Sequence, residues 1–225
     1  LPQWKDPQFT AFITLWNYEE YWHGQALGRV LEAHGRPAHD ERLRDMRTFG
    51  KRYLFWSPAI FWLLGHGVRK FPAVHMTWGA INEWSAHAAY ARMIEREDHP
   101  ELTKLLRRVQ FQESRHLAFY NSQARERLER SERAQKLTRF ALRKFWAPVG
   151  SSIQPKAETA FVLDYLMGGP EGEKHITRLD RKVDTLPGQA GLDLVSTAVA
   201  EFGVGPKAGM PRPARPGFTA RVLPH

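Results

Sequence analysis

The chain has 225 residues, 42% of them apolar and 25% charged, and no cysteine. It is long enough for one domain with a sizeable core, and it excludes disulfides, zinc–thiolate sites and iron–sulfur clusters. A net charge of +9 and a pI near 10 point to an acidic partner (nucleic acid, anionic lipid, a phosphopantetheinyl thioester or an acidic carrier protein) without choosing among them. No helix-turn-helix, zinc finger or RNA-binding motif supports nucleic acid. No apolar run reaches the roughly 20 residues of a membrane span. No secretory leader is visible, which with the lack of cysteine suits a cytoplasmic location.

In chain order, Phe9 to His34 reads as one long helix. Ile13, Trp16, Glu20, His23, Leu27, Val30 and Leu31 recur at three- and four-residue steps, and Gly35 and Pro37 end it. Asp40 to Phe49 is a short polar helix. Residues 50–70 form a very aromatic stretch broken up by Gly50, Pro58, Gly65 and Gly67. Its apolar heart, 53–64, is expected in the core, ahead of a membrane-surface patch, a dimer contact or a lid. Helix resumes near Pro72 and runs to about Glu97, with Met76, Gly79, Ala80, Glu83, Ala86, His87, Tyr90 and Ile94 on one stripe. Gly79, Ala80 and Ala86 suit either a substrate chain beside Glu83 or close helix packing.

Pro100 opens the next helix, to about Glu129, with Leu102, Leu105, Leu106, Val109, Glu113, His116 and Tyr120 on one face. After Ser131 a basic amphipathic helix runs to Trp146. Lys136, Arg139 and Arg143 line one side; Leu137, Phe140, Ala141 and Phe145 line another. Further helices are expected near 155–167, 173–184 and 190–202, and residues 203–225 read as a Pro/Gly-rich basic tail. No stretch alternates like a strand. The chain is therefore expected to be all-α, with one helical domain over 1–202.

Two short words say the same thing: Glu20-Tyr-Trp-His23 and Glu113-Ser-Arg-His116. A Glu and a His three apart on a helix point the same way, one turn apart. Two such pairs, with a lone Glu83 on a helix between them, supply most of the carboxylate and imidazole ligands of a two-iron or two-manganese site in a four-helix bundle. The expected ligands are Glu20, His23, Glu83, Glu113 and His116. A further helix carrying one more Glu is expected before Leu1. His87, one turn after Glu83, either adds a ligand or hydrogen-bonds within the core.

At these residues the chain resembles the soluble acyl-carrier-protein desaturases, a branch of the ferritin-like two-iron proteins. Glu19-Glu20-Tyr21-Trp22-His23-Gly24 matches the family's first motif, Trp16 precedes it, and Gln112-Glu113-Ser114-Arg115-His116 with Tyr120 is similar to its last motif. Ile81-Asn82-Glu83 is a looser equivalent of the third-helix motif. The chain differs where the family has Asp, at Gln112, and where it has Thr, at Ala86. The resemblance implies a ferritin-like four-helix bundle with added C-terminal helices and two iron ions, with manganese as an option. It implies Glu19, Gln112, His87 and Tyr120 around the ligands, and dioxygen-dependent oxidation of an acyl chain held as a thioester. It also implies a ferredoxin-type electron donor and a homodimer. Lys136, Arg139 and Arg143, with Lys51, Arg52, Arg69 and Lys70, are the candidate dock for an acyl carrier protein. The alternatives are a hydroxylase or N-oxygenase using the same ligands, and a metal-poor binding protein on the same scaffold.

Overall fold

The computed structural model describes residues 6–68 and 70–204; the tail from 205 onward lies outside them, as does any helix before Leu1. Among the described residues there are nine helices and no strand. They are α1 (Pro7–Ala33), α2 (His39–Phe49), α3 (Lys51–Gly67), α4 (Phe71–Arg96), α5 (Pro100–Glu129), α6 (Glu132–Phe145), α7 (Lys156–Met167), α8 (Gly169–Asp184) and α9 (Leu194–Ala200).

The starts follow local chemistry. Asp6 accepts hydrogen bonds from the Gln8 and Phe9 amides ahead of Pro7, and Ser131 accepts one from Ala134. Pro100 opens α5, with His99 accepting from the Leu102 amide. Each satisfies N–H groups that a helix start leaves orphaned.

α4 and α5 form an antiparallel hairpin at the heart of the bundle. Tyr120 lies over Gly79, and Gln110 donates to the His87 carbonyl at 3.2 Å. α1 runs antiparallel to α5: Phe12 stacks on Phe119 at 3.7 Å, His23 meets Gln112, and His34 reaches His99. α6 closes the core through Leu142 and Trp146, whose indole N–H donates to Asn82 at 3.1 Å. α7 is tied to the end of α4 by Arg92, which donates to the Leu166 carbonyl at 2.8 Å. The buried Asp180 carboxylate on α8 accepts from the Val195 and Ser196 amides at 2.7 and 3.1 Å, capping α9.

The small residue at 79 is there for packing. A Cβ on Gly79 would stand 2.3 Å from two Tyr120 ring carbons, and Ala80 is fully buried. Gly79→Ala is expected to cost about 1–3 kcal/mol by overpacking. An unchanged midpoint in urea unfolding would show that the two helices are not in contact there.

Two expectations are corrected. Residues 50–70 are not a broken segment: α3 is continuous through Pro58. The glycines fall at its ends, Gly50 at the junction with α2 and Gly65 and Gly67 in the last turn, where they do not interrupt it. Nor do the described apolar side chains of 53–64 lie in the core: Tyr53, Phe55, Trp56, Ile60, Trp62 and Leu63 are all exposed. The physical reason is the pattern: apolar residues surround α3 on every side, so no single stripe tells it which way to face.

On α6 the buried line is Ala134, Thr138 and Leu142, while Phe140 and Phe145 are exposed, so the apolar side expected there faces out in part.

Candidate metal centre

α1, α4 and α5 bring the two Glu-x-x-His words face to face. Glu20, Glu83, Glu113 and His116 each offer one ligand atom, and those atoms all lie within 4.8 Å of one another. Glu83, Glu113 and His116 are buried; Glu20 sits at the edge, its side chain 36% exposed. His23 stands on the far side of Glu113, with its Nδ1 3.2 Å from Glu113 Oε1 and 3.9 Å from Glu20 Oε1. His116 Nδ1 is 2.8 Å from the other oxygen, Glu113 Oε2, 3.4 Å from Glu20 Oε1 and 3.8 Å from Glu83 Oε2. The two oxygens of one carboxylate thus each address one imidazole.

The outer nitrogens are held crosswise. His23 Nε2 on α1 is 2.8 Å from Gln112 Oε1 on α5; His116 Nε2 on α5 is 2.7 Å from Glu19 Oε2 on α1. In each word the residue just before the Glu orients the other helix's His. Glu19 also pairs with Arg115, and the Trp16 indole N–H donates to Glu83 Oε1 at 2.9 Å. With the Gln112 oxygen accepting, His23 carries its hydrogen on Nε2, and Nδ1 turns a lone pair toward Glu113. That Nδ1 is buried and has no hydrogen-bond partner among the described residues. Two acceptors face each other at 3.2 Å unless a proton or a metal ion lies between them.

The protonation pattern says the same. Burial pushes the Glu83 carboxyl up to about 9, and the neighbouring Glu113 adds to it. Burial would also raise Glu113, but the bonds from His116 and the protonated Glu83, with the His23 imidazole close by, outweigh it and hold it at about 2. Burial alone would lower His116; bonds to Glu113, Glu20 and Glu19 overturn that and raise it to about 10. His23 is raised in the same way, against its burial, by Glu113 and Gln112. Without metal, Glu83 and His116 therefore hold protons at neutral pH where a cation would otherwise sit.

The residues present fit a first-row transition metal. The donors are hard carboxylate oxygens and borderline imidazole nitrogens, the set suited to iron or manganese. Glu20, Glu83, Glu113 and His116 would hold one ion, and His23 with Glu113 and Glu20 would serve a second.

Of the surrounding residues, Glu19 and Gln112 touch the ligands directly. Tyr120 is buried against Phe12 and Trp16, and its burial, with Glu83 and Glu20 nearby, raises its phenol. His87 stays outside the group of four, its burial lowering the imidazole. Glu19 is more deeply buried than Glu20 because α1 meets α5 along Phe12, Glu19 and His23. Gln112→Ala is expected to weaken metal binding about 10- to 100-fold while Gln112→Glu restores it. Equal affinity in all three proteins, by metal titration, would remove Gln112 from the site.

An open cationic flank of α5 was not foreseen in the sequence. It runs along α5 past Lys104, Arg107, Arg108 and Phe111 to Gln112 and Arg115, the residues that hold His23 and Glu19. Its signal was there, in cations at helical spacing one to three turns before the second Glu-x-x-His. On α6, Lys136 and Arg143 are exposed, whereas Arg139 donates to the Gly188 and Ala190 carbonyls and fastens α6 to the loop before α9.

No family model, no curated protein and no solved structure matches this chain.

Proposed function

We propose that this protein is a ferritin-like helical bundle holding two iron ions, and that it uses dioxygen to oxidise an acyl chain carried as a thioester. The observation that carries the reading is the pairing of the two Glu-x-x-His words around one carboxylate, with both Nδ1 atoms turned inward and both Nε2 atoms held from the opposite helix. Iron at such a site supplies the activation of dioxygen needed to attack an unactivated methylene.

The chain's own residues do the rest. Glu113 and Glu20 span the two imidazoles; Glu83, fixed by Trp16, closes one side. The Phe12, Trp16 and Tyr120 rings shield the buried side of the group from water. The cationic flank of α5, with the exposed Phe111 beside it, offers an approach for an acidic carrier protein or the phosphate of its prosthetic group. Lys136 and Arg143 remain a second candidate dock. An electron donor of ferredoxin type and a homodimer belong to the same proposal, and manganese fits the same ligands.

The test is oxidation of acyl thioesters by iron-loaded, reduced protein under ¹⁸O-labelled dioxygen. A product with a new double bond and no label supports desaturation. A labelled product moves the reading to a hydroxylase or N-oxygenase. No product from any acyl thioester, with metal bound, rules out the acyl substrate.

A further inference from the structure

We propose that α3 is a docking helix for anionic membrane surfaces. It is independent of the metal site. α3 is 17 residues long, about 25 Å at 1.5 Å per residue, and is short of the roughly 30 Å hydrocarbon core; no helix among the described residues is long and apolar enough to cross a membrane. Tyr53, Trp56, Ile60 and Leu63 recur at helical steps along one exposed stripe, with Phe55 and Trp62 exposed on the opposite side. Trp62 is 64% exposed and Phe55 71%, in a protein whose core has room for buried tryptophan at 84 and 146. A patch of this size on a water-facing helix marks a contact surface.

Charge decides the occupant. From Met46 to Asn82 the sequence has no Asp or Glu, while Arg47, Lys51, Arg52, Arg69 and Lys70 flank the apolar stretch on both sides. Cations at both ends, exposed aromatic side chains between them and no carboxylate suit contact with an anionic bilayer surface, the rings of the Tyr53–Leu63 stripe among the headgroups and the cations on lipid phosphates. A second copy is a poor occupant. Twofold packing would set a stretch rich in cations and without carboxylates against itself, on chains that each carry +9.

The experiment is flotation of the full chain with two kinds of vesicle: phosphatidylcholine alone, and phosphatidylcholine with about 30% phosphatidylglycerol. Trp56→Ser/Leu63→Ser and Lys51→Glu/Lys70→Glu are the comparison proteins, with helicity and molecular mass followed in parallel. Both pairs are exposed, so helicity is expected to stay unchanged. The wild type is expected to float only with the anionic vesicles and to be released by about 0.5 M salt. The apolar pair is expected to weaken binding about tenfold or more, and the charge reversal to weaken it at least as much. Wild-type protein that stays off anionic vesicles overturns the proposal, as does binding that both variants retain. A wild-type dimer that Trp56→Ser/Leu63→Ser dissociates also overturns it, in favour of a second copy on α3.

Discussion

Glu113→Ala is expected to abolish metal binding and to cost the metal-free fold about 3–5 kcal/mol. Glu113 is 1% exposed, and its two oxygens are the nearest acceptors to His23 and His116. On the proposed reading, removing them would take away the carboxylate that the two metal positions would share. In the metal-free protein it leaves a buried, protonated His116 with only Glu19 and the half-exposed Glu20 as carboxylate partners within 3.4 Å. Glu113→Gln separates the two effects. It keeps the volume and one acceptor oxygen, so the fold should lose less stability while metal binding is still lost. Thermal unfolding with and without iron, beside a metal titration, checks this. A Glu113→Ala protein that still holds its metal would mean that Glu113 is not a ligand.

Metal-induced stabilisation is expected to rise steeply with pH. Glu83 and His116 have folded-state values of about 9 and about 10, above the ordinary 4.5 and 6.5. The stability they give the metal-free fold is fully present below those ordinary values. It is lost as pH rises through 9 and 10. Glu113, held at about 2, acts in the opposite sense: its contribution is present above 4.5 and lost as pH falls toward 2. The metal-free protein should therefore weaken steadily from slightly acid to alkaline pH. A metal ion must displace the protons on Glu83 and His116, so its apparent affinity should gain up to about a hundredfold per pH unit, tenfold for each proton released. Titrating manganese into the protein at pH 6 and pH 8 while following the melting temperature reads this directly. An affinity that does not change between the two pH values would show that those protons are not displaced.

What the sequence made legible follows from where its signals are local. The long helices show themselves in 3.6-residue stripes with Pro or a capping side chain at their starts, and α5 runs from Pro100 to Glu129 as its proline and its apolar face suggested. The metal-site candidates were legible for the same reason: Glu-x-x-His fixes both side chains on one face, and Glu83 is the only carboxylate on the stripe of α4. What stayed hidden depends on three-dimensional neighbours. Whether Glu19 or Glu20 is the deeper residue turns on which side of α1 meets α5, and adjacent residues on a helix differ by only 100°. α3 failed as a core element because a helix apolar all round gives no direction, and burial is then decided by what covers it. Arg139 looked like a free surface cation, but the loop carbonyls that hold it, at 188 and 190, lie about 50 residues away in the chain.

The measurement closest to the central claim is the iron content of the purified chain after reconstitution and desalting, set beside Glu113→Ala with its helicity checked. The account predicts at least one iron per folded chain, held by Glu20, Glu83, Glu113 and His116, a second taken up at higher iron concentration on the His23 side, and neither in the variant. A folded chain that retains no iron or manganese, or one whose metal content Glu113→Ala leaves unchanged, would contradict it.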